Sequence, residues 1–146
     1  MSPTVTSSSL DSRLNSFSSP VISLFRAVIG FLFALHGAMT LFNWPLAIPM
    51  HVQVGAWPVW WSGVIEFITG LLVMVGLFTR PAAFLASGTM AVAYFWQHQP
   101  KALWPFDSQI GGNNGELSIL FCFSFFLLVF IGPGNFAIDS LVRRKR

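Results

Sequence analysis

Cysteine is almost absent from this chain. Cys122 is the only one, which excludes an intrachain disulfide and any CxxC dithiol mechanism within the chain. Charge is scarce as well: Asp, Glu, Lys and Arg make up 9% of the residues, against 54% apolar, with a mean hydropathy of +0.67. A soluble domain carries about 25% charged residues, so the composition excludes that class and predicts an integral membrane protein. There is no P-loop, no glycine-rich dinucleotide fingerprint and no nucleophile motif. Metal-ligand spacing such as H-x-x-x-H is missing too. At 146 residues the chain is one domain by length. The net charge of +3 is no argument for nucleic acid, because Arg143, Arg144, Lys145 and Arg146 supply half of the basic residues. A basic cluster after a membrane helix reads as a cytoplasmic anchor touching anionic lipid.

What is present is organised around Trp61 to Pro81, about 20 nearly unbroken apolar residues around one carboxylate, Glu66. At 1.5 Å per residue such a run crosses a bilayer core of roughly 30 Å. A charged Glu there costs about 2.5 to 3.5 kcal/mol, so it needs a partner, a proton or a task. On a helix Gly63, Glu66 and Gly70 share a face. Glycines at that spacing admit a second helix, so Glu66 is expected to face protein and not lipid.

Residues 1–19, rich in Ser and Thr, are expected to form a disordered tail. The apolar run that follows exceeds a signal-peptide core and lacks an A-x-A cleavage site, so it is expected to be a retained helix. Four spans are predicted over 20–43, 58–78, 81–98 and 114–132, with Pro20 in the first turn of the first and Pro81 opening the third. The four make a transmembrane up-down bundle over 20–134, stopped at Gly132-Pro133-Gly134. A basic tail, 135–146, follows, with an amphipathic stretch from Phe136 to Val142 at the interface. With both termini cytoplasmic, the inner side carries Arg13, Arg80 and the terminal cluster, and the outer loops only Lys101. Trp44, Trp57, Trp60, Trp61, Trp96 and Trp104 then collect at the outer boundary, where loops rich in Trp and Pro could form a lid.

Helical rise places His36 about 24 Å above the inner boundary, His98 about 25 Å, Glu116 about 24 Å, Glu66 about 18 Å and Arg26 about 9 Å. One titratable group from each helix thus falls in the outer half, with Arg26 below and able to reach upward. Each has a plainer role open to it. Arg26 would snorkel to inner headgroups, Glu116 would favour a helix N-terminus, and His98 would sit at the interface. The Phe-rich run from Phe121 to Phe130 reads as lipid-facing or core bulk.

Three hypotheses fit such a cluster. In the first, His36, Glu66, His98 and Glu116 act as donors and proton relays for a quinone head group, with Arg26, Trp61 and Tyr94 contributing to its binding. In the second, two His and two carboxylates hold zinc or iron, which the spacing does not support. In the third, the polar core only holds four helices in register, and the chain is a non-catalytic scaffold or binds a partner or a small hydrophobic molecule.

The same residues resemble the DoxX family of small four-helix membrane proteins, from about Leu24 to Asp139. The matching pieces are Leu24-Phe25-Arg26, then His36-Gly37 with Leu41-Phe42, then Glu66 with Gly70 and Gly76 to Arg80. Met90 to Phe95 with His98 and Pro100, Trp104-Pro105 and Asn114 to Leu117 follow. Phe121-Cys122-Phe123, Gly132-Pro133-Gly134 and Asp139 complete the order. Where family members often carry Lys after the His-Gly pair, this chain has Thr40, so a charge pair from that position to Glu66 or Glu116 is absent. The resemblance implies kinship with the DoxD-like subunit of thiosulfate:quinone oxidoreductase, and with proteins of oxidant and thiol stress that associate with superoxide dismutase and a sulfurtransferase. It implies work beside a second subunit or soluble redox partner in a bacterial plasma membrane, with no nucleic acid involved and a homo-oligomer compatible with it. The expected function is that of a redox-linked, quinone-interacting oxidoreductase subunit or accessory protein, with no cofactor other than quinone.

Overall fold

The computed structural model describes residues 9–49 and 52–144, and among these every regular element is helical. The order is α1 (Ser9–Phe42), α2 (Val59–Val75), α3 (Thr79–Ala93) continued by a π-helical turn (Tyr94–His98), a 3-10 turn (Ser108–Ile110), α4 (Glu116–Ile131) and α5 (Ile138–Arg144). Met50 and His51 of the first loop, residues 1–8 of the expected tail, and Lys145 and Arg146 lie outside the described residues.

Four of these elements fall on the four predicted spans; the differences lie at their ends. The segment expected to be disordered is helical from Ser9 onward, so Pro20 stands inside α1 and not in its first turn. Asp11 lies in the first turn, where it favours the helix dipole. The serines do not break the helix, because their hydroxyls bond back to it: Ser16 Oγ to the Arg13 carbonyl at 2.6 Å and Ser18 Oγ to the Asn15 carbonyl at 2.8 Å.

The α2 helix stops three residues early, at Gly76. That residue sits at φ 75°, the left-handed conformation that glycine adopts without strain. Its N–H reaches the Val73 carbonyl and that of Leu77 the Leu72 carbonyl, the Schellman pattern. The α3 helix starts at Thr79, so Pro81 lies in its first turn rather than opening it, where its missing N–H costs nothing. Its N-terminus is capped from far along the chain. Asp139 accepts from Phe78 N–H and Thr79 N–H, each at 2.9 Å, and from Thr79 Oγ1 at 2.8 Å.

The α1 helix runs along α2, α3 along α4, and α2 meets α3. The α1–α2 contact is made by backbones. A Cβ built on Gly30 would fall 2.5 Å from Met74 N, one on Gly70 2.5 Å from Ala34 N, and one on Gly37 2.7 Å from Gly63 O. No real Cβ tolerates such distances, so the glycine face predicted on α2 is a close helix crossing, as its spacing implies. The α4 helix closes the core with rings. Phe33 lies 5.1 Å from Phe121 and 4.7 Å from Phe125, centroid to centroid. Val73, Ala82, Ala83, Ala86, Met90 and Leu128 fill the remaining core. The Phe-rich run therefore divides: Phe121 and Phe125 are core, while Phe123, Phe126 and Phe130 are exposed.

The outer rim of all four helices is apolar. Val28, Phe31, Ile68, Leu71, Phe84, Leu85, Val92, Leu120, Phe123 and Leu127 are all exposed, far beyond what a monomeric soluble protein leaves open to water. The span Leu10–Phe42 is long and apolar enough to cross a membrane, and Val59–Val75 and Glu116–Ile131 are shorter apolar helices. Gly70→Leu should lower stability by about 3 kcal/mol, the upper part of the overpacking range. Gly88→Ala, where no heavy atom among the described residues lies within 4 Å of the new Cβ, should be neutral or slightly stabilising. Thermal unfolding of the two variants in one detergent checks the contrast.

Candidate functional site

Towards the end of the fold where α2 begins, α1, α2 and α3 enclose a groove of about 610 Å³. From α1 it receives His36 and Thr40, from α2 Trp61, Ser62, Ile65 and Glu66, and from α3 and its π turn Phe84, Gly88, Thr89, Trp96 and Gln97. The glycine crossing explains this arrangement. Gly37 and Gly63 bring the two backbones together, which places their neighbours His36 and Glu66 at the flank of the contact and not in it.

Glu66 is half-buried and accepts a hydrogen bond from Ser62 Oγ at 2.7 Å. Ser62 precedes it by one helical turn, so both side chains leave α2 on one face. The His36 ring meets Phe121 edge-on, centroids 5.6 Å apart. Thr40 donates its hydroxyl to the His36 carbonyl at 3.2 Å. Trp57 and Trp96 stand at the mouth, 6.3 Å apart and tilted across each other, and Trp60 and Trp61 pack edge-on at 5.0 Å. The tryptophan-rich loop thus forms one wall of the groove.

The other expected members stand elsewhere. The Nδ1 of His98 lies 2.9 Å from the Asn113 carbonyl; a carbonyl only accepts, so Nδ1 carries the proton. Asn113 is buried, donates to the Ala102 carbonyl at 2.8 Å and accepts from Gly115 N–H at 2.7 Å. His98 and Asn113 together fasten the loop between α3 and α4. Glu116 begins α4 with an exposed side chain, and neither it nor Tyr94 lines the groove. Among the described residues no three His, Cys, Asp or Glu side chains are grouped to hold a metal.

Arg26 does not line the groove and does not extend to the surface of the fold. It is 3% exposed, and its guanidinium is bonded to backbone. Nε donates to the Pro133 carbonyl at 2.9 Å, Nη1 to Val73 at 2.5 Å and Met74 at 2.7 Å, and Nη2 to Phe136 at 2.6 Å. Val73 and Met74 lie in the last turn of α2, where carbonyls run short of helical donors and the helix dipole is negative. Arg26 therefore holds together the end of the fold where α2 and α4 finish.

Two residues that carry real weight were not singled out by sequence reasoning. The readable signal for Ser62 was its spacing to Glu66. For Asn113 the only signal is the turn sequence Gly111 to Gly115, which shows a turn and not its anchor to the Ala102 carbonyl.

Among the described residues the fold is all helical, and its apolar rim and largely apolar groove holding one carboxyl and one imidazole define a class of small membrane-associated proteins. Within that class the chain belongs to the DoxX family, whose model matches residues 21–99. It is similar to a protein of Haemophilus influenzae that carries the name "Uncharacterized protein", at 34% identity over 128 residues, covering 85% of this chain and 92% of that relative. No solved structure matches.

Arg26→Lys should destabilise the fold by about 2 kcal/mol or more, because one ammonium cannot serve four carbonyls arranged around a planar fork. His36→Ala, at the groove, should cost clearly less. Thermal unfolding of the two variants decides the comparison.

Proposed function

We propose that α1 to α4 cross the bilayer as a multi-pass protein of a bacterial plasma membrane, both ends cytoplasmic, and that the outer groove holds the head group of a lipid-dissolved quinone. The observation that carries this reading is that His36 and Glu66 line one tryptophan-walled groove. The topology is supported by the apolar rim on all four helices. It is supported also by Arg26 and Arg80 lying at the end of the fold where α2 and α4 finish, away from Lys101.

The donor set suits a quinone. A carboxyl group with its Ser62 hydroxyl and an imidazole can each meet a carbonyl oxygen and hold or pass a proton. Trp61 and Trp96 offer ring faces. The volume, about 610 Å³, lies inside the range of about 300 to 1,000 Å³ usual for small-molecule sites. A bound quinone would supply two-electron, two-proton chemistry. The chain's own part is to orient the head group, keep water away from it and hold a proton at Glu66 or His36. On this reading a second subunit or soluble partner supplies the electrons.

One observation favours a non-catalytic alternative. With His98 and Glu116 outside the groove, it holds one carboxyl and one imidazole, which suffices to bind a hydrophobic molecule or to act as a scaffold without any redox step.

Quinone extracted from protein purified in mild detergent should be stoichiometric and should be lost in Glu66→Gln while helical content is unchanged. A parent protein free of quinone would favour the non-catalytic reading. For the topology, single cysteines are placed at Asp107 and Arg146 in a Cys122→Ser background. A membrane-impermeant thiol reagent on intact cells should label the first and spare the second; the reverse pattern would refute the orientation.

A further inference from the structure

The α1 helix is 34 residues long, about 51 Å at 1.5 Å per residue, and a bilayer core of about 30 Å leaves its first turns in water. In that leading part, Ser9 to Ser19, the apolar residues are Leu10, Leu14 and Phe17. The same steps continue through Val21, Leu24, Val28 and Phe31, alternately four and three residues apart, with Phe25 and Leu32 exposed along one edge of the seam. The seven seam residues are between 49% and 66% exposed. The opposite face of α1, with Ser23, Arg26, Gly30, Ala34 and Gly37, is buried in the fold.

Steps of four and three make a repeat of 3.5 residues, the pattern of a seam between two supercoiled helices and not of a lone helix on a core. In heptad terms Leu14, Val21 and Val28 occupy the a positions, and Leu10, Phe17, Leu24 and Phe31 the d positions. Branched Val at a with Leu at d favours two parallel strands, although Phe takes two of the d positions here. A membrane surface is a poorer match. Interfacial helices present a broad apolar face and a Lys- and Arg-rich polar one, whereas this segment has a narrow seam flanked by Ser, Asn, Asp11 and Arg13. The segment is also continuous with α1 through Pro20, with no break in the helix where it could turn onto the surface as a separate element. Finally, a Ser-rich helix this short is marginal in water unless its apolar side is covered.

We infer that α1 pairs with α1 of a second copy of this chain, as a parallel left-handed coiled coil that begins at Leu10 outside the membrane and continues inside it to Phe31. A twofold pair brings each seam residue against its own copy, and left-handed crossings are the usual ones between membrane helices. The pairing leaves the groove untouched and does not depend on what the groove binds; it shares with the proposed function only the membrane crossing of α1.

Disulfide crosslinking in native membranes tests it, with the full chain carrying Cys122→Ser. Leu10→Cys, Leu14→Cys and Phe17→Cys should each shift most of the protein to twice its 16.2 kDa mass on oxidation. Ser12→Cys and Ser16→Cys, on the far side of the same turns, should crosslink several-fold less. An antiparallel pair would not crosslink like residues at all three seam positions. Equal crosslinking at seam and control positions, no crosslinking, or an adduct of another mass would overturn the inference. In mild detergent, Leu14→Glu with Phe17→Glu should reduce the particle from two chains to one by light scattering, with helical content kept; an unchanged mass would overturn it as well. Quenching of a fluorophore at Phe17→Cys by lipids brominated near the headgroup would put the seam on the bilayer and refute the pairing.

Discussion

The backbone-to-backbone crossing of α1 and α2 is the contact on which the rest of the fold is built. Lipid chains are as apolar as leucine, so two membrane helices gain little from apolar burial and depend on close packing. Gly30 and Gly37 on one helix and Gly63 and Gly70 on the other remove the side chains that would hold the axes apart. This crossing fixes the rotation of each helix about its axis. Glu66 then lies beside the contact and enters the groove, His36 enters it from the other side, and the remaining face of α1 points outward.

Several of the few charged side chains serve the backbone. Arg26 serves carbonyls from the end of α2 and from the chain after α4, and Arg80 donates to the Val129 carbonyl in the last turn of α4 at 2.7 Å. Asp139 supplies the N-cap that α3 lacks locally. A buried guanidinium alone would be expensive, but each of these carbonyls would also be costly if buried without a donor. The pairing offsets both penalties. The segment from Pro133 to Asp139 thereby ties α1, α2 and α3 at one end, while His98 and Asn113 secure the α3–α4 loop at the other.

Much of this was legible in the sequence. Composition pointed to the membrane class, the apolar runs to the four long helices, and the glycine spacing to the close crossing. The pairing of His36 with Glu66 in one groove also followed from their depths along α1 and α2. Depth alone could not separate these two from His98 and Glu116, because residues at one height can face different sides of a fold. Arg26 was misjudged for a related reason: its carbonyl partners come from chain distant in sequence, which no local pattern records. The helix before Pro20 was hidden by its composition. Eight of the eleven residues from Ser9 to Ser19 are Ser, Asp, Asn or Arg in a pattern typical of loops, and the regular steps from Leu10 to Phe17 are visible only once helical periodicity is tested there.

The shortness of α2 and α4 bears on the surrounding lipid. Their 17 and 16 residues span about 26 and 24 Å at 1.5 Å per residue, several ångströms less than a typical hydrocarbon core. On the proposed topology, the bilayer beside them must pucker inward, or the outer loops must sink into it to make up the thickness. Trp44, Leu46, Trp57, Leu103, Trp104 and Phe106 are exposed in those loops, and the backbone from Asn113 to Glu116 already bonds inward to Trp104, Pro105 and Phe106. Such aromatic side chains can settle at the headgroup level while the irregular backbone stays out of the hydrocarbon. The protein would thus be matched to thin membranes, and a change of acyl-chain length would press first on the tryptophan wall of the groove.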